Sequence, residues 1–281
     1  MEHISAHVVP PIDRTLRETE IITAAGIFIS SLEYLCQSRH LEESGLLSWQ
    51  VGRTKYRWAS RKGADLIDPL VTTPGINIVL GLRLAAATAV LAPGAARELK
   101  ALAMGYLALT NLVLHLRNSH GSDGSDHMNV IVCTALAASK LFGDDERAKK
   151  VCTAFIAAQS CLSYVAAGAA KLISPFWRDG TAMAGIFRTR TYGQKHISKL
   201  FNKHPLLART GGWAVVIGEL LFPVTLVAPK RLAQALLATG FSFHLGNAAL
   251  MGLNRFLWSF GATYPSVAFH SRSLASRKSA A

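Results

Sequence analysis

Residues 164–180 read YVAAGAAKLISPFWRDG. From Tyr164 to Ala170 there is no charge, and then Lys171 enters ahead of Leu172 and Ile173, inside what otherwise reads as a membrane span. An ammonium at the centre of a helix in hydrocarbon costs about 2.5 kcal/mol or more, so a chain rarely keeps one there without a use. The surrounding sequence tests what that use is.

Half of the 281 residues are apolar, and the charged residues sit in bunches between long uncharged runs, the pattern of a polytopic membrane protein. The formal charge of +13, from 30 basic and 17 acidic residues, falls in the segments that join the apolar runs. Lipid headgroups and topology explain it there, and nucleic acid is not expected as a partner. The first apolar run starts at Ile21 and follows Glu18 and Glu20 instead of a basic stretch, so no secretory signal is expected and the first helix is retained. Cys36, Cys133, Cys152 and Cys161 have neither zinc-ligand nor disulfide-framework spacing and read as small packing residues, and no metal is expected.

A window of about 19 residues, matched to a hydrocarbon core of about 30 Å, selects 21–37, 76–91, 99–116, 128–142, 151–173, 213–228 and 232–253. Residues 256–269, broken by Gly261 and Pro265, add an eighth partial span or an interfacial helix. The expectation is an all-α fold, one polytopic membrane bundle over residues 1–281 with seven or eight transmembrane helices. The first 18–20 residues lie at the interface and the basic tail 271–281 lies outside the bundle. The linkers 38–75 and 174–212, basic and dotted with aromatics, suit amphipathic segments at the membrane surface.

Alternating these spans puts both linkers and the turn 118–126 on one side. Their many lysines and arginines argue that this side is cytoplasmic. Glu33, Arg83, His115, Arg117, Asp126, His127 and Lys171 then fall toward that side, with Glu219 and His244 nearer mid-depth. A shared polar cavity explains the agreement economically. Each residue also has a plainer role. Arg117, Asp126 and His127 read equally as headgroup-level anchors, Lys171 as a snorkelling cation, Arg83 and Glu219 as partners in one bridge, and His244 as a hydrogen-bonded core histidine.

The runs QSCLSYVAAGAAKLISPFWRDGTAM, GELLFPVTLVAPKR and FHLGNAALMGLNRF together resemble the horizontally transferred transmembrane domain family, which includes vitamin K-dependent γ-glutamyl carboxylase. Tyr164, Lys171, Leu172, Trp177 and Gly180 match one motif, Glu219 and Arg231 a second, and His244 a third. The turn RNSHGSDGSDHM looks closer to the bacterial branch that matures a sporulation-delaying peptide toxin. The resemblance implies an integral enzyme of a bacterial inner membrane that modifies a peptide or lipid-borne substrate by lysine-assisted proton abstraction. It implies a reduced quinone as cofactor, with membrane lipids, a peptide or protein substrate and a small soluble protein as partners. Lys171 would be the base, with His244, Glu219 and His127 orienting or relaying protons, and Arg83, His115, Asp126, Tyr164, Trp177 and Asn247 would line the cavity. The alternative is a non-catalytic membrane partner that binds a peptide or lipid in the cavity, while a soluble protein supplies the chemistry or immunity. Burial favours a neutral lysine base provided that no carboxylate sits against the amine.

Overall fold

The computed structural model describes residues 12–60, 67–118 and 123–279. Every regular element among them is helical. In chain order these are α1 (Ile12–Cys36), α2 (Trp49–Gly52), α3 (Asp68–Val71), α4 (Gly75–Leu91), α5 (Arg97–Arg117), α6 (Gly124–Leu141), α7 (Glu146–Ile173), α8 (Pro175–Asp179), α9 (Thr181–Arg188), α10 (Lys195–Lys203), α11 (Pro205–Leu221), α12 (Lys230–Met251), α13 (Asn254–Gly261) and α14 (Tyr264–Ser279). Four helical stretches among the described residues are long and apolar enough to cross a membrane: α1, α5, α7 and Pro205–Leu226, in which a 3₁₀ turn extends α11. The shorter α4 is strongly apolar as well. Leu102, Leu109, Leu162, Ile217 and Leu245 stand exposed on the long helices, as lipid-facing side chains do. This is a membrane protein of all-α class.

The helices overrun the apolar windows because their polar ends are helical too. The first begins at Ile12 instead of Ile21, and Thr15, Thr19 and Glu20 within it are buried. Residues 12–20 therefore belong to a packed helix, while residues 1–11 lie outside the described part. The sixth apolar run starts at Pro205 instead of Trp213, since a proline at the first helical position gives up only an N–H that would be unpaired anyway. By the same logic Pro265, expected to break a span, starts α14, which carries the helix through residues 271–279 of the expected tail. Residues 280–281 lie outside the described part.

The chain divides into two compact units, Glu18–Cys152 and the flanking Met1–Arg17 with Thr153–Ala281. In Glu18–Cys152, α5 packs between α4 and α6. Arg83 is buried at its centre and donates to Ser31 Oγ (3.2 Å), Thr110 Oγ1 (2.7 Å) and Asn111 Oδ1 (2.9 Å), and Glu20 pairs with Lys140 at 2.5 Å. The linker after α1 is a built structure. Trp49 Nε1 and Arg53 both bond Asp68, and Arg117, 1 % exposed, donates to the carbonyls of Val71 (2.7 Å), Leu47 (2.6 Å) and Leu41 (2.5 Å). Arg117 is thus an internal clamp, not a headgroup anchor, because five guanidinium donors satisfy loop carbonyls that no helix pairs.

In Thr153–Ala281, α7 is followed by three short helices, α8 to α10, and then by α11 to α14. Gly180 joins α8 to α9 with a left-handed φ of 89°, a conformation that favours glycine, and a Cβ there would come within 2.6 Å of Arg209 backbone.

Candidate functional site

The small residues of Ala166–Ala170 determine how closely the next span approaches. A Cβ on Gly168 would lie 2.9 Å from Leu220 Cγ and 3.1 Å from Glu219 Cβ, so the bare backbone lets α11 come against α7 there. Lys171 follows by three residues, on the same face of α7. Its Nζ donates to both carboxylate oxygens of Glu219, each at 2.8 Å, and stands 5.3 Å from the centroid of the Trp177 ring. The lysine is 21 % exposed and the glutamate 8 %.

One turn before Gly168, Tyr164 begins a second polar chain. Its hydroxyl lies 2.6 Å from His244 Nε2 on α12 and 2.7 Å from the hydroxyl of Tyr264 on α14. The other nitrogen of His244, Nδ1, is buried with no hydrogen-bond partner among the described residues. Aromatic rings hold the chain in place. Phe222 stacks on Tyr164 with centroids 3.8 Å apart, Phe260 stacks on His244 at 4.9 Å, and Phe260 also meets Tyr164 edge-on. Gly240 leaves the room that the Tyr264 hydroxyl occupies.

Both polar groups border a cavity of about 640 Å³. Tyr164, Ala167 and Lys171 line it from α7, Trp177 from α8, Val215 and Glu219 from α11, His244 and Asn247 from α12, and Phe256 and Phe260 from α13. Met183, Ile186 and Phe187 of α9 and Ile197, Leu200 and Phe201 of α10 also line it. A second cavity of about 360 Å³ between α11 and α12 shares Tyr164, Val215, Glu219, Ser242 and Phe243 with the first. A mainly apolar chamber with a few convergent polar groups is the usual form of a ligand site.

Of the ten residues expected at the site, Lys171, Glu219, His244, Tyr164, Trp177 and Asn247 line this cavity. Arg83, His115, Asp126 and His127 belong to Glu18–Cys152 and have other surroundings. Glu219 pairs with Lys171, and Arg83, which the plainer reading made its bridge partner, donates to three neutral acceptors. Asp126 completes a capping box at the start of α6, accepting from the Asp123 N–H at 3.0 Å. His115 and His127 meet ring to ring at 4.4 Å, and His127 is exposed. The turn residues 119–122 between them lie outside the described part.

Sequence reasoning missed Tyr264 and the Phe222–Phe260 frame. A signal was present: a tyrosine hydroxyl within the apolar run 256–269 requires a buried partner. Comparison with protein-family models, characterised proteins and solved structures finds no match to this chain.

Proposed function

We propose that the protein is an integral-membrane enzyme that modifies a peptide or lipid-borne substrate by lysine-assisted proton abstraction, carboxylase-like in its chemistry and seated in a bacterial inner membrane. In this reading α4, α6 and α12 cross the bilayer together with α1, α5, α7 and α11, giving seven spans. The 22 residues of α12 rise about 33 Å, enough for a hydrocarbon core of about 30 Å, and the 18 of α6 rise about 27 Å, within the range of the shortest spans. The observation that carries the proposal is the meeting of the Lys171–Glu219 pair and the His244–Tyr164–Tyr264 chain at one apolar cavity.

The condition set for a free lysine base is not met, because a carboxylate sits against the amine. Proton abstraction therefore takes a paired form. The ammonium must pass a proton to Glu219, 2.8 Å away, before its nitrogen accepts one from the substrate, so the two side chains work as one group. The second chain has one free end. When Tyr264 donates to Tyr164 and Tyr164 to His244 Nε2, Nδ1 carries the hydrogen; with both bonds reversed, Nδ1 is an acceptor. His244 thus offers or takes one proton at Nδ1, with two hydroxyls behind it. The walls formed by Trp177, Phe256 and Phe260 fit a flat apolar ring such as a reduced quinone, which when bound would supply reducing power that no side chain here provides.

The same carboxylate favours a second reading, a binding partner in which Lys171 and Glu219 only orient a peptide or lipid. Native mass spectrometry of protein purified from its own membrane separates the two. Lys171→Arg keeps a cation for Glu219 but cannot release its proton. For an enzyme, the variant is expected to retain an unmodified ligand whose mass differs from that of the species held by the wild type. An identical ligand in both proteins would remove the catalytic reading and leave the binding partner.

A further inference from the structure

We infer that α9 and α10 form a cover over the cavity that anionic phospholipid headgroups hold down. The inference concerns regulation of the proposed site and rests on the membrane reading of that cavity, not on its chemistry. Both α7 and α11 are candidate spans, so residues 174–204 leave and re-enter the membrane at one face, and the cover lies at the headgroup level. On α10, KHISKLFNK, the apolar side chains Ile197, Leu200 and Phe201 line the cavity, while Lys195, Lys199 and Lys203 fall on the opposite face by helical spacing. Phe187 of α9 meets Phe201 edge-on at 5.6 Å, which ties the two helices into one piece.

Charge identifies what the outer face meets. Arg188, Arg190, Lys195, Lys199 and Lys203 are all exposed, and among the described residues none has a carboxylate at ion-pair distance. In the whole of 174–204 the only acidic residue is Asp179. A basic amphipathic helix at a membrane surface gains from anionic lipid, and the attraction falls off within about a Debye length, roughly 8 Å at physiological salt. Zwitterionic lipid offers no such net attraction. The apolar underside alone then holds the cover.

The test uses the full chain in lipid nanodiscs, with Cys36→Ser removing the exposed native thiol and Met183→Cys placing a thiol on the cavity-lining side of α9, the underside of the cover itself. Labelling by a neutral, water-soluble maleimide is compared with that of Tyr192→Cys, an exposed position between α9 and α10. Relative labelling of Met183→Cys is expected to be slower by about threefold or more in discs containing phosphatidylglycerol than in pure phosphatidylcholine. High salt should reduce the difference, and Lys195→Gln with Lys199→Gln and Lys203→Gln should abolish it. The corresponding triple arginine variant should keep it, which separates charge from misfolding. Equal rates in the two lipids, or a neutralised variant that still responds, would overturn the inference. Protection produced in phosphatidylcholine by soluble glycerol phosphate would overturn it equally, since the anion would then not be lipid. Lys171→Ala should retain the lipid response, so failure of the enzymatic reading and failure of the cover are told apart.

Discussion

At the scale of single residues, the pairing of Lys171 with Glu219 is the feature with the most measurable consequences. Removing one partner of a fully buried ion pair costs about 3–5 kcal/mol, while an exposed pair contributes about 0–1. Lys171 keeps a fifth of its side-chain surface exposed, so Glu219→Gln is expected to cost an intermediate amount, about 1–3 kcal/mol, read as a lowered thermal midpoint in detergent. Lys171→Met combined with Glu219→Leu should recover most of that loss, because no uncompensated charge remains; a double variant as unstable as the single one would show that the pair is not what was lost. Gly168→Val places methyl groups where a Cβ already meets Leu220 and Glu219, and should cost about 1–3 kcal/mol by overpacking. Tyr264→Phe removes the far hydroxyl of the relay. A loss of about 1 kcal/mol in stability is expected, together with slower conversion of whatever ligand the mass measurement identifies. The three ionisable residues of this site were legible because charge inside an apolar run is rare and costly. Their pairing was not legible, since hydropathy gives depth along a helix but not azimuth. It therefore could not tell whether Glu219 faces Lys171 or Arg83.

Among the elements, the linker after α1 differs most from its sequence reading. Composition alone gives a basic, aromatic-dotted strip for the membrane surface, but the strip folds around Asp68, Trp49 and Arg53 with Leu41, Ala59 and Val71 buried. The signals were present in the aromatics, yet which carbonyls Arg117 reaches depends on tertiary packing that no local pattern encodes. Arg117→Lys keeps the charge but replaces a planar fork with a single ammonium, so at least one of the three carbonyls loses its donor. The expected outcome is faster proteolytic cleavage within 38–60, with α5 and α6 still protected. Unchanged cleavage would mean that the linker holds itself together. The short helices α8 to α10 were anticipated only as amphipathic surface segments. Their apolar faces supply one wall of the partly open cavity beside the two spans.

For the whole molecule, the number of crossings is the quantity that composition left broadest and that a simple measurement decides. If only α1, α5, α7 and Pro205–Leu226 cross, residues 118–123 and 142–145 share one side of the membrane. If α4, α6 and α12 cross as well, 118–123 lies with 38–60 and 174–204, and 142–145 lies opposite. Single cysteines at Ser122 and Asp144, probed with an impermeant reagent in sealed vesicles, are expected to label from opposite faces, as seven spans require. Labelling from the same face would return the count to four. Either count leaves both long linkers on one side. The apolar runs made the all-helical class legible, while helix ends were misjudged wherever a proline begins a helix or a polar turn continues one.

The Arg117 clamp also sets an order of events during synthesis. Its guanidinium lies 76 residues beyond Leu41, whose carbonyl it binds, so the earlier segment emerges from the ribosome long before its clamp exists. Contacts of such separation form late, because a long loop must close before they do. A nascent chain stopped ahead of residue 117 would carry the strip 38–60 with those carbonyls unclaimed. Maturation of this face is therefore tied to insertion of α5, and a factor that guards new membrane proteins would meet the strip during that interval.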